Sequence, residues 1–161
     1  EYLIKGEGED PTDECKRLNE IISRHIIDVA FVGIGENGHL AFNDPPADFD
    51  NDKPYIVVQL DQACRAQQLA EGWFSSLDKV PHQAISMTVK QIMKSKHIIC
   101  SVPGERKAKA VKDCLENEIS GLYPASILRR HEHCSIYLDE ASAANLRIKT
   151  VNNESELRSS F

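Results

Sequence analysis

Apolar positions along the chain follow two rhythms. Short runs rich in β-branched residues, DVAFVGIG (28–35), YIVVQL (55–60), HIICSV (97–102) and SIYLDE (135–140), read as strands. Between them apolar residues recur at helical spacing. Leu18, Ile21, Ile22 and Ile26 share one face of a helix that Pro11 and then Thr12 or Asp13 would open. DQACRAQQLAEG (61–72) reads as a helix with Asp61 as N-cap and Gly72 near its end. PGERKAKAVKDCLENE carries the stripe Ala108, Val111, Cys114 and Leu115 with charges opposite. PASILRRH (124–131) is a short helix with proline near its start, and ASAANL (141–146) a last helical turn or two. The run 28–35, ending in glycines, has the pattern of a buried parallel strand that leads into a functional loop. Strands alternating with helices imply an α/β fold of Rossmann-like layers, a mainly parallel sheet flanked by helices. Ligands bind such sheets at the carboxyl ends of the strands. No repeat or low-complexity linker interrupts the pattern, so residues 1–149 read as one domain and 150–161 as a polar tail.

Composition narrows the function without changing the fold. Apolar content of 41% and charged content of 27% suit a globular protein, and 161 residues can bury roughly 70% of the unfolded surface. The net charge is −6 with both signs interspersed, unlike the clustered basic face of a nucleic-acid binder. No nucleic-acid partner is therefore expected. A small anionic ligand remains open, because a few cations and backbone amides suffice for a phosphate. No apolar run approaches the roughly 18 residues of a membrane span, and no signal-peptide pattern opens the chain, so no membrane partner is expected. Five cysteines, at 15, 64, 100, 114 and 134, form no C-x-x-C. They read as reduced, mostly buried thiols of a cytoplasmic protein.

Candidate chemistry concentrates in GIGENGHLAFNDP (33–45). Gly33, Gly35 and Gly38 stand at G-x-G-x-x-G spacing after a strand, which alone suggests a dinucleotide loop. That fingerprint must open a helix, yet the chain continues HLAFNDPPADFD, where Asn-Asp-Pro-Pro prevents a long one. No cofactor is expected. Read chemically, Gly35 and Gly38 let a substrate lie against the backbone. His39 can give and take a proton near neutrality, and Asp44 can turn back to orient or charge-stabilise its ring. Asn37 and Asn43 add polar groups. A histidine that merely caps a turn is the structural alternative. At Pro103-Gly104-Glu105-Arg106-Lys107 a helix N-terminus offers amides for a phosphate, Gly104 among them, and Lys107 adds a point charge. Arg106, one residue round the helix, is expected to point elsewhere, and Arg65 to be a helix-surface charge. HEHC (131–134) reads as a polar helix end, so no metal is expected, and Trp73-Phe74 as core rather than a lid.

These segments resemble a known family. GIGENGHLAFNDP is similar to the glucosamine-6-phosphate deaminase (isomerase) loop, G-x-G-x-D-G-H-I-A-F-N-E-P. VPHQAISMTVKQIMKSKHIICSV (80–102) resembles the family's V-P-x-x-A-L-T-V-G segment and the strand after it. GERKAKAV (104–111) resembles its G-x-x-K-A phosphate turn, and PASILRRH with YLDEASAANL its closing helix and strand. The related 6-phosphogluconolactonases have a loop that runs on into a T-A-S-L-F-P type sequence, so HLAFNDP sides with the deaminases. The resemblance implies conversion of an amino-sugar 6-phosphate to a ketose 6-phosphate plus ammonia, by ring opening and aldose–ketose isomerisation without metal or cofactor. It gives His39 the ring-opening proton, Asp44 and Asn37 supporting roles, and Lys107 the phosphate. Two positions depart from the pattern: an acid of the family falls at Asn37 and its final Glu at Asp44.

The resemblance further implies an L-D-E-Y motif whose Asp abstracts the C2 proton. The chain starts at Glu1-Tyr2, so that base is expected just before residue 1. The family's N-terminal third, with its first strands and a phosphate loop, is expected to be missing. Two alternatives stand beside this reading. A lactonase-type hydrolase would use the same histidine as a general base, and a sugar-phosphate sensor would bind without turnover. Family members are often oligomers, so a homo-oligomer is open.

Overall fold

A computed structural model describes residues 1–6 and 10–147; the expected tail, 150–161, lies outside the described residues. The strands are Val29–Val32 (β1), Tyr55–Gln59 (β2), Gln83–Met87 (β3), His97–Val102 (β4) and Cys134–Leu138 (β5). The helices are Pro11–Ile22 (α1), Gln62–Ala70 (α2), Val89–Ile92 (α3) and Ala108–Glu116 (α4), with 3-10 turns at Leu77–Lys79, Glu105–Lys107 and Pro124–Arg130.

The expected parallel sheet is present, in the order β1-β4-β5, with Phe31 beside Ile99 and Ile99 beside Ser135. YIVVQL is a strand too, but it stands apart from that sheet. β2 pairs antiparallel with β3, Tyr55 opposite Met87. β3 was not among the expected strands, since QAISM offers neither a strong alternation nor a dense β-branched run.

Local signals explain most helix ends. Asp10 caps α1 by accepting from the Thr12 amide at 2.7 Å, with Pro11 in the first position. The helix stops at Ile22, where the Ser23 hydroxyl donates to Glu20 O at 2.8 Å. Ile26 therefore falls beyond the helix and is 71% exposed, not part of its apolar face. Asp61 caps α2, as expected, accepting from the Cys64 amide at 2.6 Å. Gly72 supplies φ +83° just past its end. Arg65, expected as a surface charge, is half-buried instead. Its guanidinium donates to Leu77 O at 2.6 Å and Val80 O at 2.9 Å, tying α2 to the 77–79 turn. Trp73, expected in the core, is 72% exposed.

One face of the parallel sheet builds the core. Ile98, Cys100 and Val102 pack with Leu40, Val111, Cys114 and Leu128. The opposite face lies open: Val29, Phe31 and Tyr137 are exposed, Phe31 at 79%. The continuous apolar run at 28–35 predicts burial on both faces. The difference arises because α1 packs against β2 and β3 rather than across β1. Among the described residues no helix is long and apolar enough to cross a membrane.

Burial alone distinguishes the two faces. Leu128, 1% exposed, is expected to cost about 2–5 kcal/mol as Leu128→Ala. Phe31→Ser on the open face is expected to cost no more than about 1 kcal/mol, both measured by urea denaturation.

Candidate active site

The end of β1 and the end of β4 bring the two expected functional loops together. Gly33, Gly35 and His39 on one side and Pro103, Arg106 and Lys107 on the other line a cavity of about 720 Å³, closed further by Ser86 and Met87 of β3. This is the carboxyl end of the parallel sheet, where the topology favours a ligand.

The glycine loop is shaped around the histidine. Gly35 N donates to His39 O at 3.0 Å, and Gly38 N to Gly35 O at 3.0 Å. A Cβ on Gly35 would overlap the His39 imidazole, so only glycine admits the ring in its place. Gly38, expected beside substrate, has a different task. It turns the chain at φ +85°, and a Cβ there would face Cys114 Sγ and Pro124, away from the cavity. Ala41 adopts φ 53°, a conformation costing of order 1–3 kcal/mol in a residue with a Cβ. Asn43 holds that bend: its amide donates to Leu40 O at 2.7 Å and to Met87 O at 2.8 Å. Asn43 is thus a bracket between the loop and β3.

His39 and Asp44 meet as the sequence predicts. His39 Nδ1 stands 3.2 Å from Asp44 Oδ1, each side chain 9% exposed. The pair is a close polar contact, not an aligned hydrogen bond; among the described residues Nδ1 has no hydrogen-bond partner. Asn37 completes the group. Its Oδ1 accepts from the His39 amide at 3.0 Å, and its Nδ2 donates to Asp44 Oδ1 at 2.9 Å and to Asp61 Oδ2 at 3.2 Å. Asp61 N donates to Asp44 Oδ2 at 3.1 Å. Burial pushes the Asp44 carboxyl up, but the interactions with His39, Asn37 and the Asp61 amide outweigh it and hold it below the usual carboxylate value. Cys64, in the first turn of α2, lies against the same cluster. Burial, with Asp44, Asp61 and Glu71 nearby, pushes its thiol up to about 12.

At the other wall, burial pushes the Lys107 ammonium down, opposed by Glu36 and Glu71. Arg106, expected to point elsewhere, also lines the cavity and pairs with Glu36 at 3.4 Å. Gly104, expected as a phosphate amide, is engaged otherwise: at φ +96° its N–H donates to Asp139 Oδ2 at 2.9 Å. In the HEHC segment both ring nitrogens of His131 are engaged, Nε2 2.8 Å from Ser95 O and Nδ1 accepting from the His133 amide at 3.1 Å. Sequence reasoning missed Asp61 and Glu36 as site residues. Asp61 was legible only as a helix cap, which occupies one of its oxygens. Glu36 gave no signal beyond its place in the loop.

Residues 2–137 match the family of glucosamine-6-phosphate isomerases/6-phosphogluconolactonase. A glucosamine-6-phosphate deaminase of Oenococcus oeni is 40% identical over 92% of this chain. One of Streptococcus pyogenes serotype M1 is 40% identical over 90%. The chain spans 61% and 60% of those relatives' lengths. A solved monomeric glucosamine-6-phosphate deaminase superposes with a TM-score of 0.83 at 33% identity, over 90% of this chain and 59% of its own. The 6-phosphogluconolactonase of Trypanosoma brucei, at 18% identity and TM-score 0.65 over 84% of this chain and 53% of its own, shares the fold.

Two substitutions probe this geometry. Gly35→Ala is expected to displace the imidazole and cost about 1–3 kcal/mol, measured by thermal denaturation with the His39 ring followed by NMR. Asp44 has a folded-state value below its unfolded one. Its contribution is full above the unfolded value of about 3.9 and is lost as pH falls through the folded value. Asp44→Asn is expected to be less stable at neutral pH, and to lose less stability than the unsubstituted protein on acidification below about pH 4.

Proposed function

The chain belongs to the family of glucosamine-6-phosphate isomerases/6-phosphogluconolactonase, and from that premise we propose that it serves the deamination and isomerisation of an amino-sugar 6-phosphate, glucosamine 6-phosphate first among them. The observation that carries the proposal is His39 on the wall of the same cavity as Lys107, with its Nδ1 turned to Asp44. The names of the most similar relatives and the 0.83 superposition support the same activity.

In this reading the sugar lies across the cavity with its phosphate at Lys107 and Arg106 and its pyranose oxygen at His39. His39 moves one proton between the anomeric hydroxyl and the ring oxygen, breaking the C1–O5 bond and freeing the aldehyde. Asp44 steadies the imidazolium that forms in between, and Asn37 keeps Asp44 aimed. A carboxylate then takes the C2 proton and returns it to C1 through an enolamine. Water adds at C2 as ammonia leaves, giving ketose 6-phosphate. The resemblance assigns that carboxylate to the Asp of an L-D-E-Y motif, whose last two positions Glu1-Tyr2 match. The bound phosphate dianion compensates Lys107 for its desolvation.

The test is ammonia release from glucosamine 6-phosphate, with hydrolysis of 6-phosphogluconolactone measured alongside, on residues 1–161 and on the chain carrying its upstream residues. Ammonia release that falls about 10²–10⁴-fold in His39→Gln supports the proposal. Lactone hydrolysis without ammonia release overturns it. Lys107 loses its charge below the usual lysine value of about 10.4. KM is therefore expected to rise on the alkaline side before that pH, and Lys107→Arg to remove the rise.

A further inference from the structure

Beside the proposed proton shuttle lies a set of donors that the reaction does not use in full. The ligand atoms of His39, Asp44 and Cys64 all fall within 4.8 Å of one another. Tetrahedral zinc, with bonds of about 2.0–2.3 Å, holds its ligand atoms about 3.5 Å apart, so a small inward rotation of side chains closes the site. His39 is 7% and Cys64 1% exposed. Nδ1 is buried with no hydrogen-bond partner among the described residues, and it faces Asp44 Oδ1 at 3.2 Å. Asp61 adds a second carboxylate through Asn37, so the local field favours a cation.

We propose that His39, Asp44 and Cys64 bind a thiophilic divalent cation, Zn²⁺ above all, and that the ion inhibits the protein. One nitrogen, one oxygen and one sulfur suit Zn²⁺ or Co²⁺ and disfavour Mg²⁺ and Ca²⁺, which take oxygen ligands. Binding releases the Cys64 thiol proton to solvent and forms one S–Zn bond, with Nδ1 and a carboxylate oxygen completing three protein ligands and water the fourth. With Nδ1 coordinated, the ring keeps its proton on Nε2 and cannot accept another, so a proton shuttle through His39 stops. The binding stands on the donor geometry; its inhibitory effect rests on the function proposed for His39.

The probe is Co²⁺, titrated into the reduced protein and followed by absorption. The expected result is visible d–d bands of tetrahedral cobalt with a near-ultraviolet thiolate-to-cobalt band, all displaced by Zn²⁺. Cys64→Ser is expected to abolish the thiolate band while Cys134→Ser keeps it. Asp44→Asn, which leaves the thiol in place, is expected to weaken Co²⁺ binding at least about tenfold. In the ammonia assay Zn²⁺ inhibits, and Cys64→Ser needs at least about tenfold more for half-inhibition. Absence of the thiolate band in the unsubstituted protein, or its survival in Cys64→Ser, overturns the site. Cobalt spectra as expected without inhibition by Zn²⁺ would overturn the effect on His39 while leaving the site standing.

Discussion

The site depends on one buried carboxylate. Asp44 is nearly enclosed, and an ionised acid in that setting is costly unless its oxygens are occupied. Here Asn37 and the Asp61 amide take them, and the His39 ring stands against Oδ1. Those partners come from two places, the glycine loop and the N-terminus of α2, while Asp44 itself follows the bend between them. Satisfying Asp44 therefore fixes how these segments meet. The loop needs Gly35 to admit the imidazole, the bend holds Ala41 at positive φ, and Asn43 anchors the bend to β3. The strain at Ala41 is sustained because its neighbours are held on both sides.

The fold places this arrangement without further devices. β1 and β4 run parallel and adjacent, so the loops that follow them emerge at the same end. One delivers a titratable ring, the other a cationic turn. Lys107 lies at a helix start in a half-buried position whose charge is disfavoured by desolvation and favoured by an anionic ligand. The antiparallel β2–β3 pair then covers the gap, with Ser86 accepting from Phe42 N at 3.1 Å. The third wall is thus built from a segment that carries no charged chemistry of its own.

Much of this was legible in the sequence, for definable reasons. Strands rich in valine and isoleucine, a capping aspartate at 61 and glycine at 72 are signals that act within a few residues. His39 and Asp44 could be paired because a Pro-rich break forbade a helix between the glycines and residue 50. What failed required knowledge of distant partners. Ile26 fitted the helical period, yet the Ser23 turn ends the helix first. Phe31 sat in an apolar run, yet burial depends on which layer lies above the strand. Gly104 had the right place for a phosphate amide, but Asp139, 35 residues on, takes its N–H. Arg65 had no visible acidic partner because its partners are backbone carbonyls.

Asn37 is the position where sequence comparison alone misleads most. Measured against the resembling loop, it replaces an acid and removes a charge. In its surroundings an acid would be the harder residue to place. The Asn37 amide group donates to two carboxylates at once, Asp44 and Asp61, while its oxygen accepts from a backbone N–H. An ionised Asp there would have acceptors only, facing two further acids across about hydrogen-bond distance, and one of the three would have to hold a proton. Asp61 supplies the negative charge that Asn37 lacks, from the start of the next helix. The two residues act as one hydrogen-bonded unit, in which the Asn37 amide links the Asp61 carboxylate to Asp44.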